Sequence, residues 1–155
     1  MIARACRVLF CVLLALAAHG GVAQPVKPVG IAAWFSQLQR PDSPNHWLVA
    51  PADFAVKPDT VAPVYALPAA QLREAFTALL RAQPRVAIVA EHGDGLHAVA
   101  TTAVFRFEDD VRVQFIALSP AQSTLAIYSA SRVGYWDLGA NRRRIEDWLA
   151  RLQTP

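Results

Sequence analysis

The 155 residues leave room for one domain and exclude two once a leader is set aside. The formal charge of +3 includes Arg4 and Arg7; without them 13 basic residues face 12 acidic ones, which gives no general reason to expect nucleic acid or anionic lipid as a partner. Both cysteines, Cys6 and Cys11, fall in the same leader, so the remainder has no thiol for a disulfide, a metal or a nucleophile.

Residues 1–23 have the parts of an export signal: Arg4 and Arg7, the apolar run Val8 to Ala18, then the small residues Gly21 and Ala23. A spanning helix needs about 20 apolar residues, and this run ends at His19 and Gly20, so cleavage after Ala23 is expected. The expected location is the periplasm or the exterior, with an inner-membrane tether through an uncleaved leader as the alternative and no membrane insertion after cleavage. Cys11 lies inside the apolar run and not at its end, which argues against lipidation. The roughly 130 residues that remain are enough to bury a core without a disulfide.

Residues 24–67 carry Pro25, Pro28, Pro41, Pro44, Pro51, Pro58 and Pro63, which interrupt long helices and central strands. Trp34, Phe35, Trp47, Leu48 and Phe54 lie among them, so the expectation is an irregular segment wrapped on the domain. The core proper is expected over 68–155. Pro68 suits a first helical turn, and Leu72, Phe76, Leu79 and Leu80 share one face of a helix that ends near Ala82, ahead of Pro84. Arg85 to Glu91 reads as a strand that turns at His92-Gly93-Asp94-Gly95. Leu96 to Phe107 reads as a longer strand, with Glu108, Asp109 and Asp110 turning it into a third, Val111 to Leu118, where Val111, Val113 and Phe115 alternate with Arg112 and Gln114. A fourth strand follows at about Thr124 to Arg132. The last helix presents Ile145, Trp148, Leu149 and Leu152 as an apolar stripe. The predicted fold is α+β: a four-stranded antiparallel sheet with two helices on one face, in the order α-β-β-β-β-α.

Ser131-Arg132-Val133-Gly134, Asp137-Leu138-Gly139, Asn141-Arg142 and Arg144 form an ordered motif set. Pro44-Asn45, Ala50-Pro51, Ala62-Pro63 and Phe105-Arg106-Phe107 with Asp109 and Asp110 extend it. Over about residues 34–152 the chain resembles the family called domain of unknown function 1499 (DUF1499). The resemblance implies no particular activity. The chain departs from the family pattern at Ala130, where a basic residue is common, at Tyr135 and Trp136, where smaller or polar residues stand, and at Thr101 and Thr102, often Arg-Ser.

On a helical wheel Leu138 and Asn141 fall on the buried side with Ile145 and Trp148, and Arg143 falls opposite. A buried Asn141 amide must find partners, expected in the strand-to-helix loop, and Asp137 is placed to cap the first turn. Arg142, Arg143 and Arg144 sit against the dipole preference of a helix start, so carboxylates or an anionic ligand should compensate them. The candidate binding residues are therefore Arg132, Asp137, Asn141, Arg142 and Arg144, for an unknown partner protein or small anionic ligand.

The rest of the chain carries no established catalytic or metal-binding motif. His92, Asp94 and His97 have no established metal-ligand spacing, and a solvated turn accounts for them, so no metal and no cofactor are expected. Ser129 and Ser131 share a strand face and could be activated by His97, with Asp137 as a third member, but no nucleophile elbow accompanies them. The expectation is an exported, non-catalytic domain binding at residues 129–144; the alternative is a cell-envelope hydrolase using the Ser/His/Asp set.

Overall fold

The computed structural model describes residues 30–153. The expected leader, its cut after Ala23 and both cysteines lie outside the described residues. Three helices and six strands follow one another as α1 (Ile31–Ser36), β1 (His46–Ala50), β2 (Thr60–Val61), α2 (Ala69–Arg81), β3 (Val86–His92), β4 (Gly95–Thr101), β5 (Glu108–Ser119), β6 (Gln122–Ser131) and α3 (Ala140–Gln153).

The strands form one mixed sheet in the order β2-β1-β6-β5-β4-β3. Strands β3 to β6 are successive antiparallel hairpins, β1 lies antiparallel to β6, and β2 pairs with β1 in parallel. The α+β class holds, but the four-stranded antiparallel sheet does not: the proline-rich half contributes two strands and a helix. Its prolines bracket the strand and do not interrupt it. Pro44 stands before β1 and Pro51 directly after it, so none of the five residues in between lacks a ladder N–H.

The two expected helices share one face, but a third helix covers the other. Leu72, Phe76 and Leu80 of α2 and Ile145, Trp148 and Leu149 of α3 pack on one side of the sheet, over Leu96, Val111, Val113, Leu125 and Ile127. On the other side Ile31 and Phe35 of α1, with Phe54, cover Leu48, Ala126 and Tyr128. The strand β6 is therefore buried from both sides, Ser123 to Ser129 without a break, and loses the alternation of a half-exposed strand. Asp94, read from sequence as a turn residue, accepts from the Ile31 and Ala32 amides at 3.2 and 2.6 Å and so holds the start of α1 on the β3–β4 turn.

One turn lies elsewhere than expected. Glu108, Asp109 and Asp110 are not a turn but the first residues of β5, where Asp109 pairs with Ser131 and Asp110 with Ala130. Acidic residues are poor strand formers alone, yet here Arg144 binds Asp109, and Arg132 binds Glu108 and Asp110. The turn falls instead on residues 102–107, closed at its base by Thr102 N to Phe107 O at 2.8 Å and Phe107 N to Thr102 Oγ1 at 2.9 Å. That shift brings Val104, Phe105 and Phe107 beside the β6–α3 connection.

Candidate functional site

The junction between β6 and α3 is built on Asn141, whose side chain is fully buried. Its Oδ1 accepts from Ser129 Oγ at 2.5 Å and Arg144 Nη1 at 2.7 Å. Its Nδ2 lies within donating distance of the Asn45 carbonyl (2.9 Å), Asp137 Oδ2 (2.8 Å) and Ser131 Oγ (3.1 Å). Burying an amide is tolerable only with such partners. Asp137 caps α3, accepting from the Gly139 and Asn141 amides, both at 2.8 Å.

The arginines divide by what they touch. Arg144 reaches inward to Ser129 Oγ at 2.8 Å and forms an ion pair with Asp109, whose side chain is 2% exposed. Arg132 makes a two-pronged contact with Asp110, at 3.0 and 2.9 Å, and a further one with Glu108. Arg142 pairs with Glu146 one turn on, at 2.7 Å, and lies over the Trp47 ring. Thus Arg132, Arg142 and Arg144, the sequence candidates for anion binding, all have carboxylate partners within the chain. Arg143 differs: it donates to the Leu138 carbonyl at 2.8 Å.

The register separates the serine candidates from their proposed base. Ser129 pairs with Val111, and His97 lies in the neighbouring row opposite Arg112, which faces Tyr128. Alternation then puts His97 on the face that carries α1, while Ser129 is buried under α3. His97 Nε2 contacts Asp110 Oδ1 at 2.7 Å instead. Burial pushes the His97 imidazole below its usual value, with the Asp110 hydrogen bond opposing in part. Burial alone would raise the Asp110 carboxyl, but hydrogen bonds from Arg132 and His97 outweigh it and hold it below the ordinary carboxylate value. Among the described residues His97 makes no hydrogen bond to Ser129, Ser131 or Asp137, so these residues do not meet as a triad.

The outer side of the same junction has the opposite character. Among the described residues eleven large apolar side chains stay exposed, and seven of them sit on two loops: Val104, Phe105 and Phe107 on one, Val133, Tyr135, Trp136 and Leu138 on the other. Phe105 and Phe107 stack at 5.6 Å. Between the loops lies a mainly apolar cleft of about 550 Å³, with Asp109, Ser131, Asp137 and Arg143 at its polar margin.

The backbone here is also unusual. The described residues other than glycine with positive φ are Arg85, Arg106 and Leu138, and the last two belong to these loops. Leu138 was expected on the buried side of the helix, but α3 begins only at Ala140, so the helical wheel does not extend back to it. At φ 56 it is held in the left-handed region and is 64% exposed. Sequence reasoning missed Val104, Phe105, Phe107 and Leu138 as site residues. The available signal was apolar side chains in a connection that no helical or alternating pattern absorbs.

Residues 38–152 match the family described as Protein of unknown function (DUF1499). Among solved structures the chain is similar to a START superfamily protein from Mycobacterium smegmatis, with 12% identity, a TM-score of 0.34, and coverage of 59% of this chain and 90% of that one. No curated protein matches.

Proposed function

This chain belongs to the DUF1499 family, and we propose that it is an exported, non-catalytic binding domain whose site is the apolar cleft between residues 102–107 and 133–138. The observation that carries this reading is the concentration of exposed Phe105, Trp136 and Leu138 on one rigidly based spot, where a folded monomer gains nothing from exposing them. A mainly apolar cleft with a few polar groups at its margin suits a ligand with an apolar body. The carboxylate pairing of Arg132, Arg142 and Arg144 favours this ligand over a small anion at the same junction. For export the support is the leader sequence, and the mature protein should begin at Gln24 on N-terminal sequencing; a retained Met1 would refute cleavage.

The direct test of the cleft is an amide-resolved NMR titration with octyl glucoside below its micellar concentration, with sodium sulfate run in parallel. Octyl glucoside is expected to shift residues 102–107 and 133–138, and the Phe105→Ala/Trp136→Ala double variant is expected to lose that response. Shifts from sulfate alone, centred on Arg132, Arg142 and Arg144, would return the anion reading. No shift at either loop would end the proposal.

A further inference from the structure

Resting on that reading of the cleft, we propose that its occupant is an anionic lipid bilayer, into whose interface the tips of the two loops enter while the sheet stays in water. Four observations converge on a bilayer.

The exposed set is of the right kind. Phe105 and Val104 are purely apolar, whereas Tyr135 and Trp136 combine an apolar ring with a polar edge, the combination that settles at the level of lipid headgroups. The loops come from connections about 30 residues apart in sequence and open on one side of the domain, so their tips can be shallowly buried together. Among the described residues no helix is long and apolar enough to cross a membrane.

The local charge is complementary to an anionic surface although residues 24–155 are nearly balanced, with 13 basic against 12 acidic residues. Asp109 and Asp137, the acidic residues at the cleft, are taken up by Arg144 and by the start of α3. Glu108 and Asp110 are taken up by Arg132. Arg106 stands between the stacked Phe105 and Phe107 with no carboxylate within ion-pair distance among the described residues, and Arg143 at the margin donates only to a backbone carbonyl. Arg143 at the cleft and Arg106 in the adjoining loop thus have no carboxylate partner among the described residues, and their charge is free to meet lipid phosphate.

The loops are tied at their bases. The Thr102 amide donates to the Phe107 carbonyl and the Phe107 amide to Thr102 Oγ1. The Gly134 carbonyl accepts from Asn45 Nδ2 at 2.5 Å and the Leu138 carbonyl from Arg143. These ties hold the two apolar loops side by side at the cleft.

The test is flotation of the purified mature protein, beginning at Gln24, with vesicles of phosphatidylglycerol mixed into phosphatidylcholine, against vesicles of phosphatidylcholine alone. Wild type is expected to float with the anionic vesicles. The Phe105→Ser/Trp136→Ser variant should bind at least tenfold more weakly, and Arg106→Gln or Arg143→Gln about fivefold more weakly each, with the difference shrinking in high salt. All the proteins begin at Gln24 and share the same residues before the loops, so any difference isolates the loops. Their thermal midpoints should match wild type, which separates lost docking from lost folding. Equal flotation of wild type and the loop variant would overturn the proposal, as would the absence of flotation. A stoichiometric protein complex through these loops without vesicle binding would overturn it too. If octyl glucoside still shifts the loops while vesicles do not bind, the bilayer proposal fails and the cleft reading stands.

Discussion

The turn that joins β6 to α3 has two sides built on opposite principles. On the inner side Asn141, Ser129 and Asp109 are buried, Arg144 lies half-buried against them, and their polar atoms answer one another. On the outer side Phe105, Trp136 and Leu138 face solvent, and Leu138 does so from a left-handed backbone that glycine would adopt at no steric cost. The first arrangement follows the rules by which chains fold; the second breaks them twice within the same few residues. Folding stability explains the inner side. The outer side needs another reason, and binding at the cleft supplies one, since strain and exposed apolar surface are commonly kept where they serve recognition.

Breaking the inner side should give the largest effect. Asp109→Ala leaves the Arg144 guanidinium, 14% exposed, without its carboxylate. The expected loss is about 3 kcal/mol, read as a lower urea midpoint with an unchanged slope. A loss below about 0.5 kcal/mol would mean that the network is not a structural unit.

The outer side should respond in the opposite sense. Leu138→Gly removes the steric penalty of the left-handed conformation and is expected to stabilise the fold by ~0.5–1 kcal/mol, after the extra freedom of glycine in the unfolded chain is deducted. The same substitution should weaken octyl glucoside binding, because the side chain lines the cleft. Stabilisation with undiminished binding would remove Leu138 from the site.

A gradual effect should come from the outer edge of the polar network, where His97 meets Asp110 and Arg132. The folded imidazole takes up a proton less readily than the unfolded one, so the unfolded state binds more protons once pH falls below about 6.5. Stability is then fully present above that pH and declines as pH is lowered through it. Asp110, whose folded carboxyl is held below 3.8, extends the decline in the same direction at lower pH. His97→Gln should flatten the upper part of this slope in denaturation midpoints measured from pH 7.5 to pH 5. Some slope should persist from His46, lowered by burial first and by Arg40 second. An unchanged slope would show that His97 does not report on folding.

Much of the framework was legible from residue order. The helical stripes of α2 and α3, the β3–β4 hairpin and the alternation in β5 are local patterns, and the structure has them. Asn141 was legible as a buried helix-start residue because its position on the wheel is fixed by Ile145 and Trp148. Strand β1 was hidden by the prolines around it, and its place in the sheet depends on pairing with β6, some 80 residues away. The beginning of β5 was hidden because three consecutive acidic residues read as a turn until Arg132 and Arg144 are brought to them.

By itself the sequence determined helices α2 and α3 and the β3–β4 hairpin, whose periodicities depend only on neighbours a few residues apart, and the family, whose motif is a linear order of residues. Tertiary structure decided the six-stranded sheet, the covering of both its faces and the cleft. A cleft exists only when two loops distant in the chain are held side by side. Ion pairing likewise required the fold: from composition Arg106 and Arg144 are equivalent cations, and only packing shows that one is matched by a buried carboxylate while the other stands beside exposed aromatic rings.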